Sequence, residues 1–315
     1  LMSNYGSYAS YFIDTSKPFD QQMCMFDDTR TWQQYFLQAA ITNYENVTAI
    51  WQEARLAGFQ LSQEDQDYLD ELDGQITVAA ASYSYGSADE YLQMAYGPAA
   101  TLTSYHAFVE RQITASAYLQ VLVDEKPYTE DDISKYYDDN ADSYAGNGIE
   151  KSDVKMVNVR HILIQPEGKN DDGTYTDEAW AEAEKKANDL LTEWQNGERT
   201  EDSFAFMAAE NSQDPGSVEN GGLYEDIYPG KMVDEFDAWC FDPARQPGDT
   251  GIVKTSYGYH IMYFSSTGEH AYWYVRAEED YLNELSVSVL QEVAAKFEVT
   301  ESEQNAAIVD IMQQN

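Results

Sequence analysis

Two of the four histidines sit where an ionisable ring is least expected. His161 lies in "VRHILI" (159–164) and His260 in "GYHIMYF" (258–264), and both runs read as strands rich in β-branched and aromatic residues. Side chains alternate between faces along a strand. His161 therefore shares a face with Val157, Val159 and Leu163, and His260 shares one with Met262 and Phe264. A single imidazole on an apolar face is most simply a core histidine with its hydrogen bonds satisfied. Two brought together could do more. Neutral imidazoles hydrogen-bond each other, each fixing the other's tautomer, and so present an array of dipoles that needs no reorganisation during a reaction.

The rest of the chain narrows what such a pair could serve. Aspartate and glutamate number 57 against 18 lysines and arginines, a net charge of −39. That excludes nucleic-acid binding, which needs cations to displace counterions from phosphates, and electrostatic docking on anionic lipid. It favours a soluble, self-repelling surface. Cys24 and Cys240 form neither a CxxC nor a metal spacing. Cys240, in the apolar stretch "AWCF", reads as a small buried hydrophobe, with a Cys24–Cys240 bridge left open. No run of ~18 apolar residues is present, so no membrane-spanning helix is expected. The opening "LMSNYGSYASYFIDTSKPF" is polar, rich in tyrosine and serine, and lacks a methionine at position 1. It reads as the start of a chain whose leader has been removed.

Positioning elements follow from periodicity. Residues 1–28 show no strong pattern and read as an arm. A helix runs from Thr29 to Gly58, with Trp32, Phe36, Ala39, Ala40, Asn43, Val47, Ile50 and Ala54 at steps of three and four. "LSQEDQDYLDEL" restarts with Ser62 capping and Asp65 three residues on; Tyr68, Leu69 and Leu72 form its apolar face. "YGSADEYLQMAYGP" is a short helix, "TLTSYHAFVERQITASAYLQVLV" a longer one, and "YTEDDISKYYDDNADSY" begins at a Thr129 cap. Residues 29–150 are thus an all-α unit closed by the linker "AGNGIEKSD" (145–153). The period then changes to that of a strand at 157–164, a helix over 177–196, a shorter helix at "EDSFAFMAAENS", a strand at "GGLYEDI", a helix at "GKMVDEFDAWCF" and a hairpin at "PGDTGIVKTSYGYHIMYF". This β-α-α-β-α-β-β order makes 151–267 one α+β domain. A connector follows Ser265. Helices over 278–296 and 302–313 complete a C-terminal part, 268–315, expected to pack on the helical unit.

Residues 154–265 resemble the parvulin-type peptidyl-prolyl isomerases. The resemblance is carried in order by "VRHILI", "AEAEKKANDLLTEWQNG", "DSFAFMAAENSQDPGS", "NGGLYEDIYPGKMVDEFDAWCF" and "QPGDTGIVKTSYGYHIMYF". The flanks, through "ARLAGFQLSQEDQDYLDEL" and "YTEDDISKYYDDNADSY", resemble the helical chaperone unit of secreted PrsA/SurA-type foldases. This likeness implies a four-stranded antiparallel sheet wrapped by helices and inserted in the all-α chaperone-like domain. It places His161 and His260 at the paired central histidines, and Asp214 where parvulins carry Cys or Asp. Thr255 and Tyr257 frame the second histidine. Leu223, Met232 and Phe236 match the pocket that takes the proline ring.

The implied activity is isomerisation of Xaa–Pro bonds, which twist without any covalent bond breaking, and it calls for no cofactor. A zinc site from His161, His260 and Asp214 is the metal alternative, disfavoured because no third nitrogen or sulfur ligand is placed near them. Phosphate-directed parvulins carry a basic cluster after the first strand. Here "QPEGKNDDGTYTDE" offers Glu167, Asp171 and Asp172 against Lys169, so no preference for phosphoserine- or phosphothreonine-proline is expected. The implied partners are unfolded or newly exported polypeptides outside the cytoplasmic membrane, with lipid anchoring through a removed leader and a homodimer both left open. The rival reading is a holdase that keeps a catalytically silent parvulin domain. A structural or adhesion protein of the cell exterior is a weaker third.

Overall fold

A computed structural model describes residues 12–14, 16–170 and 173–297. The helix expected over 302–313 lies outside the described residues, as do Asp171 and Asp172. The chain divides into two compact units, Leu1–Tyr128 with Leu282–Asn315, and Thr129–Tyr281.

In the first unit, part of the expected arm is structured. Strand β1 (Met23–Cys24) pairs antiparallel with β2 (Asp27–Thr31). Ile13, Cys24 and Trp32 are buried together, packed by Phe12, Phe19, Tyr35 and Phe36. Aromatic packing rather than periodicity orders this segment, which is why a search for helix or strand repeats passes over it. Helix α1 (Trp32–Ala57) starts at a capping box between Thr31 and Gln34, three residues after the expected Thr29, and ends on Gly58. Helices α2 (Gln63–Ser82), α3 (Ala88–Tyr96) and α4 (Leu102–Asp124) follow, capped by Ser62, Ser87 and Thr101. Each cap hydroxyl accepts from the third helical N–H, satisfying a donor that would otherwise be unpaired. Ala49 and Ile50 of α1, Ala115 of α4 and Val293 share a buried core.

The second unit begins earlier than expected. Helices α5 (Glu130–Asp139) and α6 (Ala141–Gly146) belong to it, not to the preceding helices. Their apolar residues Ile133, Tyr137 and Tyr144 are buried against Tyr274 and Ala277 in the first turns of α10 (Tyr272–Ala294), and the Tyr144 hydroxyl donates to Asp280 at 2.9 Å. A helix stripe shows that a partner exists without naming it. Between α6 and α10 run β3 (Lys155–Ile164), α7 (Asp177–Asn196), α8 (Glu201–Asn211), β4 (Leu223–Ile227), α9 (Asp234–Cys240), β5 (Thr250–Thr255) and β6 (Gly258–Ala271). The sheet order is β4-β3-β6-β5, antiparallel throughout. The expected connector after Ser265 is absent. β6 continues to Ala271, which pairs with Lys155, and α10 opens at Tyr272 rather than 278. Ser265, Ser266, Thr267 and Gly268 look like loop residues, yet ladder hydrogen bonds use only the backbone, and irregularities between Asn158 and Val159 and between Lys155 and Val157 absorb the shifts in register.

β3 and β6 are covered on both faces. One side carries Ile162, Ile164, Tyr259, Ile261 and Tyr263 beneath Ala183, Ala187 and Trp194 of α7 and Phe204 and Ala208 of α8. The other carries Val157, Val159, Met262 and Phe264 beneath Phe236 and Cys240 of α9. Both cysteines are free and buried, so no Cys24–Cys240 bridge forms, and burial pushes the Cys240 thiol up to about 12.

Candidate active site

The two strand histidines meet. His161 on β3 lies across from Met262, and His260 on β6 lies across from Leu163, so the rings project from the same face of adjacent strands. Their Nδ1 atoms are 3.0 Å apart, and the residues are 2% and 6% exposed. Phe236, from α9, sets its edge against both rings at 5.4 Å between centroids. Met232 packs into the same apolar cluster, and Leu223 is half-buried at the start of β4, its backbone held by the Asn220 side chain.

Hydrogen bonds continue outward from both rings. His161 Nε2 lies 2.9 Å from Asp214 Oδ2 and 3.1 Å from Ser217 Oγ. Asp214 Oδ2 also accepts from the Ser217 hydroxyl at 2.5 Å and the Tyr224 hydroxyl at 2.9 Å. On the far side His260 Nε2 lies 2.8 Å from Thr255 Oγ1, which itself accepts from the Tyr257 N–H at 3.1 Å. Tyr257 thus frames the site with its backbone, while its ring is 59% exposed. The reversal that brings Thr255 to His260 is a two-residue hairpin loop in which Thr255 pairs with Gly258.

Direction along this chain follows from donor counting. The His161 N–H, against the opposing pull of burial, and then the Ser217 and Tyr224 hydroxyls hold the Asp214 carboxyl well below the usual carboxylate range. A carboxylate only accepts, so His161 Nε2 carries a proton. With both rings neutral, His161 Nδ1 accepts from the His260 Nδ1–H, and His260 Nε2 accepts from the Thr255 hydroxyl. Burial, and next the neighbouring His161, push His260 down to about 4, which keeps that ring neutral at ordinary pH. For neutral rings the proton order is Thr255→His260→His161→Asp214, with the half-buried Asp214 carboxylate as its last acceptor.

Ser217 and Tyr224 are the site residues that sequence reasoning missed. Ser217 is buried, and Tyr224 stacks on His161 at 5.2 Å with 26° between planes. Ser217 stands three residues after Asp214 in "DPGS", the spacing of a local side-chain turn, and that signal was readable. Tyr224 carried none, because its role depends on β4 pairing beside β3. No group of three or more histidine, cysteine, aspartate or glutamate side chains among the described residues could hold a metal ion.

Residues 147–266 match the family model of the PPIC-type PPIASE domain. Over that segment the chain is similar to the parvulin, or PPIC-type, peptidyl-prolyl isomerase domains. Its relatives include foldase protein PrsA 1 of Listeria innocua, 31% identical over 106 residues that cover 34% of this chain and 29% of that protein. Foldase protein PrsA of a Geobacillus species is 44% identical over 80 residues, 25% of this chain and 27% of its own length. The chain thus aligns with under a third of the length of these curated relatives. Among solved structures, PrsA from Bacillus subtilis is similar over 94% of this chain and all of its own, at 18% identity and a TM-score of 0.38. No helix among the described residues of this chain is long and apolar enough to cross a membrane.

The depressed pKa of His260 makes the parvulin domain acid-sensitive. Between about 6.5, the value of a free histidine, and about 4, the unfolded chain holds a proton that the folded ring refuses. Stability contributed by the neutral ring is complete above that window and falls as pH drops through it, at up to about 1.4 kcal/mol per pH unit. Asp214, also depressed, adds a loss of the same sign below the ordinary carboxylate range. Urea midpoints at a series of pH values should show this fall, and His260→Gln should flatten it between pH 6.5 and 4.

Proposed function

We propose that this protein is a peptidyl-prolyl cis/trans isomerase and foldase. In this reading the parvulin domain twists Xaa–Pro bonds, and the helical unit holds the unfolded polypeptide that carries them. The observation that carries it is the buried His161–His260 pair, anchored at Asp214 and Thr255 and edged by Phe236.

An Xaa–Pro amide resists rotation by about 18–20 kcal/mol because resonance makes the C–N bond partly double. No covalent bond has to break, so the catalyst need only favour the twisted amide, whose nitrogen is pyramidal and whose charge separation is reduced. An apolar cup of Leu223, Met232 and Phe236 would grip the proline ring and strip water from the planar, more polar ground state. The neutral histidine pair, already oriented at both ends, presents dipoles that need not move as the bond turns. Asp214, Ser217, Tyr224 and Thr255 act through the histidines and are positioning residues. The work is assigned to the cell exterior, on exported polypeptides, as the resemblance to PrsA/SurA-type foldases implies.

The test is cis-to-trans relaxation of short Xaa–Pro peptides, measured without a coupling protease. Wild-type protein is expected to accelerate it, and His260→Ala to lower kcat/KM by about 10²-fold with the circular dichroism spectrum retained. A phosphoserine-proline peptide should turn over no faster than its unphosphorylated form, because Glu167 of the loop after β3 opposes added negative charge. No acceleration over the uncatalysed rate, with client aggregation still suppressed, would replace this reading by a holdase with a silent parvulin domain.

A further inference from the structure

From Leu56 to Glu110 the chain has no lysine or arginine, yet it carries nine aspartates and glutamates and six tyrosines, Tyr68, Tyr83, Tyr85, Tyr91, Tyr96 and Tyr105. The fold gathers the tyrosines of α2, α3 and α4 into one cluster. Tyr91 stacks on Tyr83 at 5.9 Å and meets Tyr85 edge-on at 5.5 Å, while Tyr96 lies 5.4 Å from Tyr105. Burial, then Tyr96, Tyr68 and Tyr91, push Tyr105 up to about 12. Its outer rings are open: Tyr83 is 70% and Tyr96 65% exposed, and Met94 beside them 74%. On α2 a shallow groove of about 600 Å³ is lined by Asp70, Glu71, Gly74, Gln75, Val78 and Ala79, with Val78 66% exposed.

Elsewhere this protein covers half-buried rings with its own cations. Arg245 lies 4.0 Å from the Trp239 ring, Lys151 4.8 Å from Trp273, and Arg111 4.8 Å from Trp51. Among the described residues the tyrosine cluster has no such cover, no lysine or arginine pairs with its carboxylates, and Asp73 Oδ1 lies 2.9 Å from His106 Nδ1. Exposed tyrosine faces attract cations through the ring quadrupole, and an uncompensated carboxylate field raises the local concentration of positive charge. Together with open methionine and valine side chains, they match a segment that alternates basic and apolar residues.

We propose that the α2–α4 face is a docking surface for unfolded polypeptide segments in which arginine or lysine is interleaved with apolar residues. This rests on the reading of the protein as a foldase and names the class of segment that its helical unit takes. A second copy of this chain is a poor occupant, because each copy brings the same −39 charge to the contact.

The experiment uses the full chain and three fluorescein-labelled peptides with identical leucine and phenylalanine positions. The residues between them are arginine and lysine in the first, serine and glutamine in the second, and aspartate and glutamate in the third. Anisotropy should show the basic peptide binding at least about tenfold more tightly than the neutral one, with the gap narrowing as salt is raised. The surface variant Tyr83→Ser/Tyr96→Ser should lose at least about fivefold for the basic peptide. Its turnover of a short Xaa–Pro peptide should be unchanged, because neither residue belongs to the parvulin domain. Equal affinity for the basic and neutral peptides would overturn the proposal, as would undiminished binding by the double variant. Concentration-dependent dimerisation that the double variant abolishes would instead assign the face to self-association. Loss of isomerase activity alone in the wild type would leave the peptide result intact, so failure of the two readings can be told apart.

Discussion

Gly222→Ala is expected to lower the unfolding free energy of the parvulin domain by about 3–4 kcal/mol and to disable the site at the same time. Gly222 precedes β4 with φ at +76°, in the left-handed region. Its N–H donates to the Ser217 carbonyl at 2.7 Å, and its carbonyl accepts from the His161 N–H at 2.8 Å. A Cβ there would stand 2.2 Å from the His161 carbonyl oxygen and 3.0 Å from the Ala208 Cβ. The first neighbour is backbone of a central strand and cannot rotate away, so β3 or the loop must shift. Either shift moves His161 or Ser217, the two groups that meet at Asp214. Gly148→Ala is the control. Its φ is +72° and nothing lies within 4 Å of an added Cβ, so only backbone strain of about 1 kcal/mol applies. In thermal unfolding the two should differ by about 5–10 °C. Equal effects would show that the close approach to His161 is not what makes Gly222 necessary.

The second large effect is at Asp214. Three donors converge on its Oδ2, from His161, Ser217 and Tyr224. Asp214→Ala leaves them without that acceptor. The cost is about 2–3 kcal/mol of stability, since an unsatisfied buried polar group loses roughly 1–3 kcal/mol and some of these can turn to water. It also removes the anion that fixes the proton on His161 Nε2, so the order of protons through His161 and His260 is no longer determined. We expect kcat/KM for a proline peptide to fall by about 10²-fold, with KM little changed. Asp214→Asn separates position from charge. Its amide oxygen can accept in the same place, and a loss of only about tenfold is expected. Nitrogen-15 NMR of the imidazoles reports the tautomers directly: wild-type His161 should carry its proton on Nε2, and Asp214→Ala should mix the two forms. Unchanged tautomers with lost activity would mean that Asp214 acts on the substrate rather than through His161.

How much of this could be read without coordinates varies from residue to residue. Periodicity placed His161 with Val157 and Val159, and His260 with Met262 and Phe264, because a strand's two-residue repeat is a local property of the chain. The helix caps at Ser62 and Thr129 were equally local, since a hydroxyl and an N–H three residues apart meet through backbone geometry alone. The order of elements through 157–264 was legible for the same reason. Several features required the tertiary structure. Tyr224 reaches Asp214 only because β4 pairs with β3, and Gly222 is needed only because the His161 carbonyl passes beside it. β6 runs on to Ala271 through residues that favour loops, because β3 supplies a backbone partner that side-chain polarity does not reveal. Helices α5 and α6 join the second unit because Tyr274 and Ala277, more than a hundred residues downstream, cover their stripe. Local repeats determine which face of each element is apolar. Which distant element covers that face, and which polar groups meet beneath it, depends on packing across the fold, where the contacts join residues far apart in the chain.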